Sequence, residues 1–193
     1  MKIIIVLVIA FVYMYISYYT NYKNDFKITQ VNLDKLNTDL LLEKYPIIIS
    51  DKIVKPQDLL KTSFAYSFNI QDNMPIIFHD KPIINLSKFM LLYNQITDID
   101  LNIIHPKNKN KLIFGSYKQY NGTSQNKCYK LKYCNKNLHE LDNIGYTTVK
   151  LKKDQVLILP TYWIFHAFFP IQIISLDDFI SYPVKNILNI IMG

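Results

Sequence analysis

The sequence predicts a small, mainly-β domain of close antiparallel strands with a few short helices, carried behind one N-terminal transmembrane helix. Three observations predict it. Residues 3–19 carry no charge and open with Ile-Ile-Ile-Val-Leu-Val-Ile-Ala-Phe-Val. Beyond residue 96, short apolar runs recur at close spacing, separated by turn formers such as Lys107-Asn-Lys-Asn110, Asn121-Gly122 and Asp142-Asn-Ile-Gly145. With 193 residues, half of them hydrophobic, the chain can build one core but is too short for two ordinary domains. It divides into a membrane segment, 1–22, and a globular β-barrel or sandwich domain, 23–193.

The leader is long enough to cross a bilayer once. As a helix rising about 1.5 Å per residue it reaches roughly 26 to 30 Å, the thickness of a hydrocarbon core. Tyr13, Tyr15, Tyr18, Tyr19 and Tyr22 cluster at its far end, followed by Lys23 and Lys27. Phenol rings sit well at the headgroup level. A cleaved signal peptide would need a shorter apolar run and a small-x-small site, whereas this chain has Tyr-Ile-Ser-Tyr-Tyr there. The reading is an uncleaved anchor, with a lipid membrane as partner through residues 3–22. Lys2 and the amino terminus balance Lys23 and Lys27, offset by Asp25, so charge does not set the orientation.

Leu33, Leu36, Leu40 and Leu41 recur at helical spacing behind Asn32, which predicts a short amphipathic helix capped by that asparagine. It ends before Tyr45-Pro46, and Pro46-Ile-Ile-Ile-Ser50 reads as a buried strand. Phe64, Tyr66, Phe68 and Ile70 alternate as one face of a half-buried strand. Further strands are expected at Ile76–Phe78, Leu101–Ile104, Leu112–Tyr120, Cys128–Tyr133, Tyr146–Leu151, Val156–Leu159 and Gln172–Leu176. Leu86–Tyr93 reads as a helix, and a last helix is expected from Pro183 through Ile187 and Ile191. On a strand, Cys128 and Cys134 would stand about 20 Å apart, far beyond a disulfide's reach, so both are expected reduced.

Charge is concentrated. The net +7 comes from 22 lysines, with no arginine, against 15 acids. Between Asp100 and Glu140 there is no acid, and Lys107, Lys109, Lys111, Lys118, Lys127, Lys130, Lys132 and Lys136 all lie there. An anionic partner would therefore meet this region, and the alternative is a solvated hairpin kept soluble by edge lysines. Base reading leans on arginine forks, so no specific nucleic acid recognition is expected. Asn85-Leu86-Ser87 and Asn121-Gly122-Thr123 make Asn85 and Asn121 candidate glycosylation sites.

The sharpest local pattern runs from Gly145 through Asp154 to Leu-Pro160-Thr-Tyr-Trp163-Ile-Phe-His166. It resembles the second half of the cupin and JmjC double-stranded β-helix, where an apolar strand leads into a Pro-x-x-Trp corner. Pro46-Ile-Ile-Ile-Ser-Asp51 is similar to the early strand of that barrel. With its leader, the chain looks like the membrane-anchored cupin-like proteins of large eukaryotic DNA viruses. The resemblance covers roughly residues 30 to 182 and implies a cupin-like jelly-roll barrel in a virion membrane or a host internal membrane during infection. Pro160 fixes φ and Trp163 offers a large ring to close the barrel, which makes both structural corner residues.

Catalytic members of that family need His-x-Asp/Glu or His-x-His on one strand plus a distant histidine, so that alternate side chains converge on a metal. Neither spacing occurs. His79 is followed by Asp80, which on a strand points the other way; His105 precedes Pro106 and His139 precedes Glu140. His166 falls three residues after Trp163, where the resemblance implies a ligand two after. The expectation is no bound metal or cofactor, with His79, Asp80 and His166 as the only metal candidates. The protein then reads as a non-enzymatic, membrane-anchored structural or interaction protein, a virion membrane or membrane-to-capsid component whose partners are viral capsid or other virion proteins. Two alternatives stand: a divergent Fe(II)-dependent oxygenase of the JmjC/cupin kind using those three residues, and an anchored lumenal glycosyltransferase-like enzyme using Asp98-Ile-Asp100.

Overall fold

The computed structural model describes residues 2–20, 25–53, 69–77, 81–112, 118–121, 128–131, 134, 136, 140 and 143–178. The strands are β1 (Thr29–Val31), β2 (Ile47–Ile49), β3 (Asn69–Ile77), β4 (Ile83–Ile84), β5 (Phe89–Tyr93), β6 (Ile99–Ile104), β7 (Lys118–Asn121), β8 (Cys128–Leu131), β9 (Thr147–Leu151), β10 (Val156–Pro160), β11 (Ile164–Ala167) and β12 (Ile171–Asp177). They form a large sheet of order β1-β2-β10-β5-β12-β3, a small sheet of order β4-β11-β6-β9, and the separate hairpin β7-β8. Apart from the parallel pair β1-β2, every pairing is antiparallel. Within β3–β6 and again within β9–β12, successive strands alternate between the two sheets, and β6 and β9 pair with each other in the small sheet, which is the strand order of a jelly roll.

Alternation along each strand builds the core. Ile83 of β4, Ile99, Leu101 and Ile103 of β6, Val149 and Leu151 of β9, and Phe165 and Ala167 of β11 face the large sheet. From that sheet, Ile48, Met90, Leu92, Leu157, Leu159, Ile171 and Ile173 face back, and together they fill the interior. The intervening residues of the large sheet, Ile47, Ile49, Phe89, Leu91, Tyr93, Val156, Ile158, Ile174 and Leu176, make a second apolar layer on its outer face. Each large side chain buried this way contributes about 1.5–3 kcal/mol.

The leucines of the N-terminal segment cover that outer layer. Leu33, Leu36, Leu40 and Leu41 pack on it, but not as the one helix expected. A 3-10 turn, Leu33–Lys35, precedes helix α2, Thr38–Leu42. Asn32 makes no side-chain cap. The cap is Asn37, in extended conformation, whose Oδ1 accepts from the Leu40 N–H at 2.9 Å. The Leu33 N–H donates instead to Asp51.

The second correction is at Leu86–Tyr93. Its core, Phe-Met-Leu-Leu-Tyr, is β5, the strand between β10 and β12. Both of its faces are buried, which erases the alternation that would mark it as a strand. The Phe64–Phe68 face, Phe78 and the helix expected after Pro183 lie outside the described residues. β11 was not expected as a separate strand.

The leader forms helix α1, Lys2–Thr20. Its side chains from Ile3 to Ala10 are all exposed, an apolar run about 12 Å long at 1.5 Å per residue, with Val12, Tyr13 and Ile16 exposed beyond it. Among the described residues no helix is long and apolar enough to cross a membrane.

Two buried asparagines fix the ends of the barrel. Past β4, Asn85 exchanges backbone bonds with the β10–β11 corner: its N–H donates to the Trp163 carbonyl at 2.9 Å, and its carbonyl accepts from Tyr162 at 2.7 Å. Its Nδ2 donates to the Leu159 carbonyl at 2.7 Å, and its Oδ1 accepts from the Ser87 N–H at 2.9 Å. Past β5, Asn94 holds the β9–β10 turn through backbone bonds with Asp154 and Gln155, and its Nδ2 reaches the Thr97 and Leu151 carbonyls. Each latched turn contains a non-glycine residue in the left-handed region, Tyr162 at φ 67° and Asp154 at φ 64°. Replacing Asn85 or Asn94 with alanine strands several buried groups. Each variant is expected to lose about 1–3 kcal/mol in urea denaturation, whereas Ile96→Ser, at an exposed turn, stays within about 0.5 kcal/mol.

Candidate functional site

Strand register defines the two ends of the barrel. β5 and β10 pair Phe89 with Pro160 and Tyr93 with Val156. The Pro160–Trp163 corner, the end of β6 at Ile104 and the start of β2 thus share one end. The turns after β5, β9 and β11 share the opposite end.

Trp163 lies buried at the first end. It is 2% exposed, and its Nε1 donates to the Lys44 carbonyl at 3.1 Å. His105 meets it edge-on at 5.0 Å between ring centroids, and Phe26 edge-on at 5.4 Å. Lys44 itself adopts φ 58°, and loss of water at its half-buried position lowers its ammonium to about 8. Pro160, in the last position of β10, is buried and paired with Phe89.

The segment joining the leader to the barrel is strapped to the same end. Tyr45 donates its phenol proton to the Asp25 carboxylate at 2.6 Å, and Lys27 lies 5.4 Å from the Tyr45 ring centre and 3.8 Å from Glu43.

His166 is on β11, where Phe165 and Ala167 take the inward positions. Its imidazole therefore faces away from the interior, opposite Asn102 in register, and stands edge-on to Phe168 at 4.8 Å. Thr148 Oγ1 donates to Asn102 at 2.9 Å, completing a polar row across the outer face of β11, β6 and β9. The position two residues after Trp163 is Phe165, packed in the core opposite Ile83. His79, Asp80 and His139 lie outside the described residues. Among the described residues no three His, Cys, Asp or Glu side chains gather as a metal could use. Asp98 accepts from the Lys153 N–H at 3.1 Å, and Asp100 is exposed on β6.

Asn85 is fully buried with both ends of its amide bonded, so the first sequon is closed to a glycosyl carrier in the folded chain. Asn121 ends β7. Cys134 is buried and free, and burial pushes its thiol up. Of the lysine run, Lys107, Lys109 and Lys111 stand on the 3-10 turn Pro106–Lys111, directly after His105. Lys118 begins β7, Lys130 is on β8, and Lys136 donates its backbone N–H to Cys134. Lys127 and Lys132 lie outside the described residues. The two asparagine latches escaped sequence reasoning; the one signal for the first was a polar Asn-x-Ser between apolar runs, which also reads as a sequon.

The hydrogen bond to Asp25 raises the Tyr45 phenol most, followed by burial and the charges of Asp25 and Glu43, and together they take it from 10.0 to about 12. The folded chain favours the neutral phenol, so this stabilisation is complete below pH 10 and is lost as pH rises from about 10 towards about 12. The difference in phenolate absorbance between the native chain and Tyr45→Phe is expected to show one tyrosine ionising late, and Asp25→Asn is expected to bring it back towards 10.

No family model and no curated protein matches this chain. Among solved structures, it is similar to one described as AAD-2 in complex with Mn(II) and N-oxalylglycine, at 10% identity over 82% of this chain and 95% of that one, with a TM-score of 0.45.

Proposed function

We propose that the protein is a membrane-anchored binding scaffold: α1 holds it in a bilayer, and a jelly roll whose described inward positions are apolar offers its outer surfaces to partners. The observation that carries this reading is the filled interior. On β4, β6 and β11, the inward positions at which ligating side chains would have to converge are occupied by Ile83, Leu101, Ile103, Phe165 and Ala167. A metal with open positions for substrate needs several polar ligands there and room beside them.

The anchor is supported by the exposed apolar side chains of α1, which no water-facing helix would present in an unbroken run. The remaining leader residues to Tyr19 are uncharged, and they extend the run to about 26 Å, which a bilayer accommodates by slight thinning and a tyrosine belt. The viral setting, with capsid or other virion proteins as partners, rests on the sequence resemblance in the leader, Tyr45-Pro-Ile-Ile-Ile and the Leu-Pro-x-Tyr-Trp corner.

Two measurements test it. The full chain is expected to stay with membranes through alkaline carbonate extraction, and removal of residues 1–22 to release it. Protein purified without chelator and incubated with Fe(II) or Mn(II) is expected to retain far less than one equivalent. Stoichiometric metal that is lost in His166→Ala would overturn the scaffold in favour of an oxygenase.

A further inference from the structure

Resting on the anchor just proposed, we infer that the Trp163 end of the barrel lies flat on the bilayer surface, with the lysines of the Pro106–Lys111 turn on anionic lipid headgroups. Two observations that do not depend on each other meet at this end. The first is chain reach. α1 ends at Thr20, and by Phe26 the chain is packed against Trp163 and His105. Six residue steps span at most about 21 Å. The strap at Asp25–Tyr45 and Lys27–Glu43 fixes the chain where it arrives, so an anchor in the membrane keeps this end, and not the other, within that distance of the headgroups.

The second is charge. His105, edge-on to Trp163, leads straight into the turn carrying Lys107, Lys109 and Lys111, and Lys107 is exposed. These are the first three lysines of the acid-free segment between Asp100 and Glu140. The Asn108 side chain donates to the Ile144 carbonyl at 2.8 Å and ties this turn down. A cluster of lysines next to a membrane segment is attracted to anionic headgroups by a term that falls off within about 10 Å, and a tether of at most about 21 Å allows the turn to come that close. The opposite end, with exposed Ile96, Phe168 and Phe169, then faces away from the bilayer.

The test places a benzoylphenylalanine photo-crosslinker at residue 42 or 96 of the full chain. Both side chains are exposed; Leu42 sits two residues before Lys44 at the Trp163 end, and Ile96 is in the turn after β5. The protein is reconstituted in phosphatidylcholine vesicles with or without labelled phosphatidylserine. Lipid capture at 42 is expected to exceed that at 96 at least about threefold, to grow with phosphatidylserine, and to fall several-fold in Lys107→Glu/Lys109→Glu/Lys111→Glu while the protein still floats with vesicles. Equal or greater capture at 96, or capture at 42 indifferent to the charge reversal, overturns the orientation and leaves the anchor standing. Failure to float overturns the anchor and this inference with it.

Discussion

The fold depends on two side-chain amides that stand in for missing sheet. A jelly roll must turn the chain sharply at both ends, and each sharp turn removes backbone groups from the ladder while keeping them out of water. At one end the carbonyl of Leu159 is left over, and Asn85 Nδ2 meets it; at the other the carbonyls of Thr97 and Leu151 are left over, and Asn94 Nδ2 meets both. An asparagine carries a donor and an acceptor on a short arm, the minimum needed to bridge two strands from a third. Because these bonds are buried and numerous, they also hold Tyr162 and Asp154 in the left-handed conformations that bring β10 back beside its neighbours.

Much of this was legible in the chain. β2, β6, β9, β10 and β12 appear close to where apolar runs and turn formers put them, because each is bounded by residues with a local conformational preference. β5 was not, since its five residues face two apolar layers and show neither period. The leucine stripe over 33–41 has the spacing of one amphipathic helix but forms a 3-10 turn followed by α2. Spacing reports which face is buried; it does not report that Asp51, eighteen residues on, would take the first N–H and let Asn37 restart the turn. Pro160 ends β10 and Trp163 immediately precedes β11, a corner at which a fixed φ and a large ring each have a local use. Asn85 could not be placed, because a polar residue between apolar runs looks the same whether it is a latch, a glycan site or a loop.

Parity decides where the His166 side chain stands. Side chains on a strand alternate with a period of two, so a displacement of one residue carries a group from the interior of a barrel to its outside. Trp163, Phe165 and Ala167 share the inward phase, in register with Leu101, Ile103 and Ile83, and His166 is out of phase with all of them. No rotamer change corrects this, since the β-carbon itself points outward, and shifting β11 by one residue would expel Phe165 from the core and break the bonds from Asn85 to Trp163 and Tyr162. The imidazole is therefore committed to the row it forms with Asn102 and Thr148 on the outer face of the small sheet. His166 and Asn102 are both buried there, and Thr148 is the exposed member of that row.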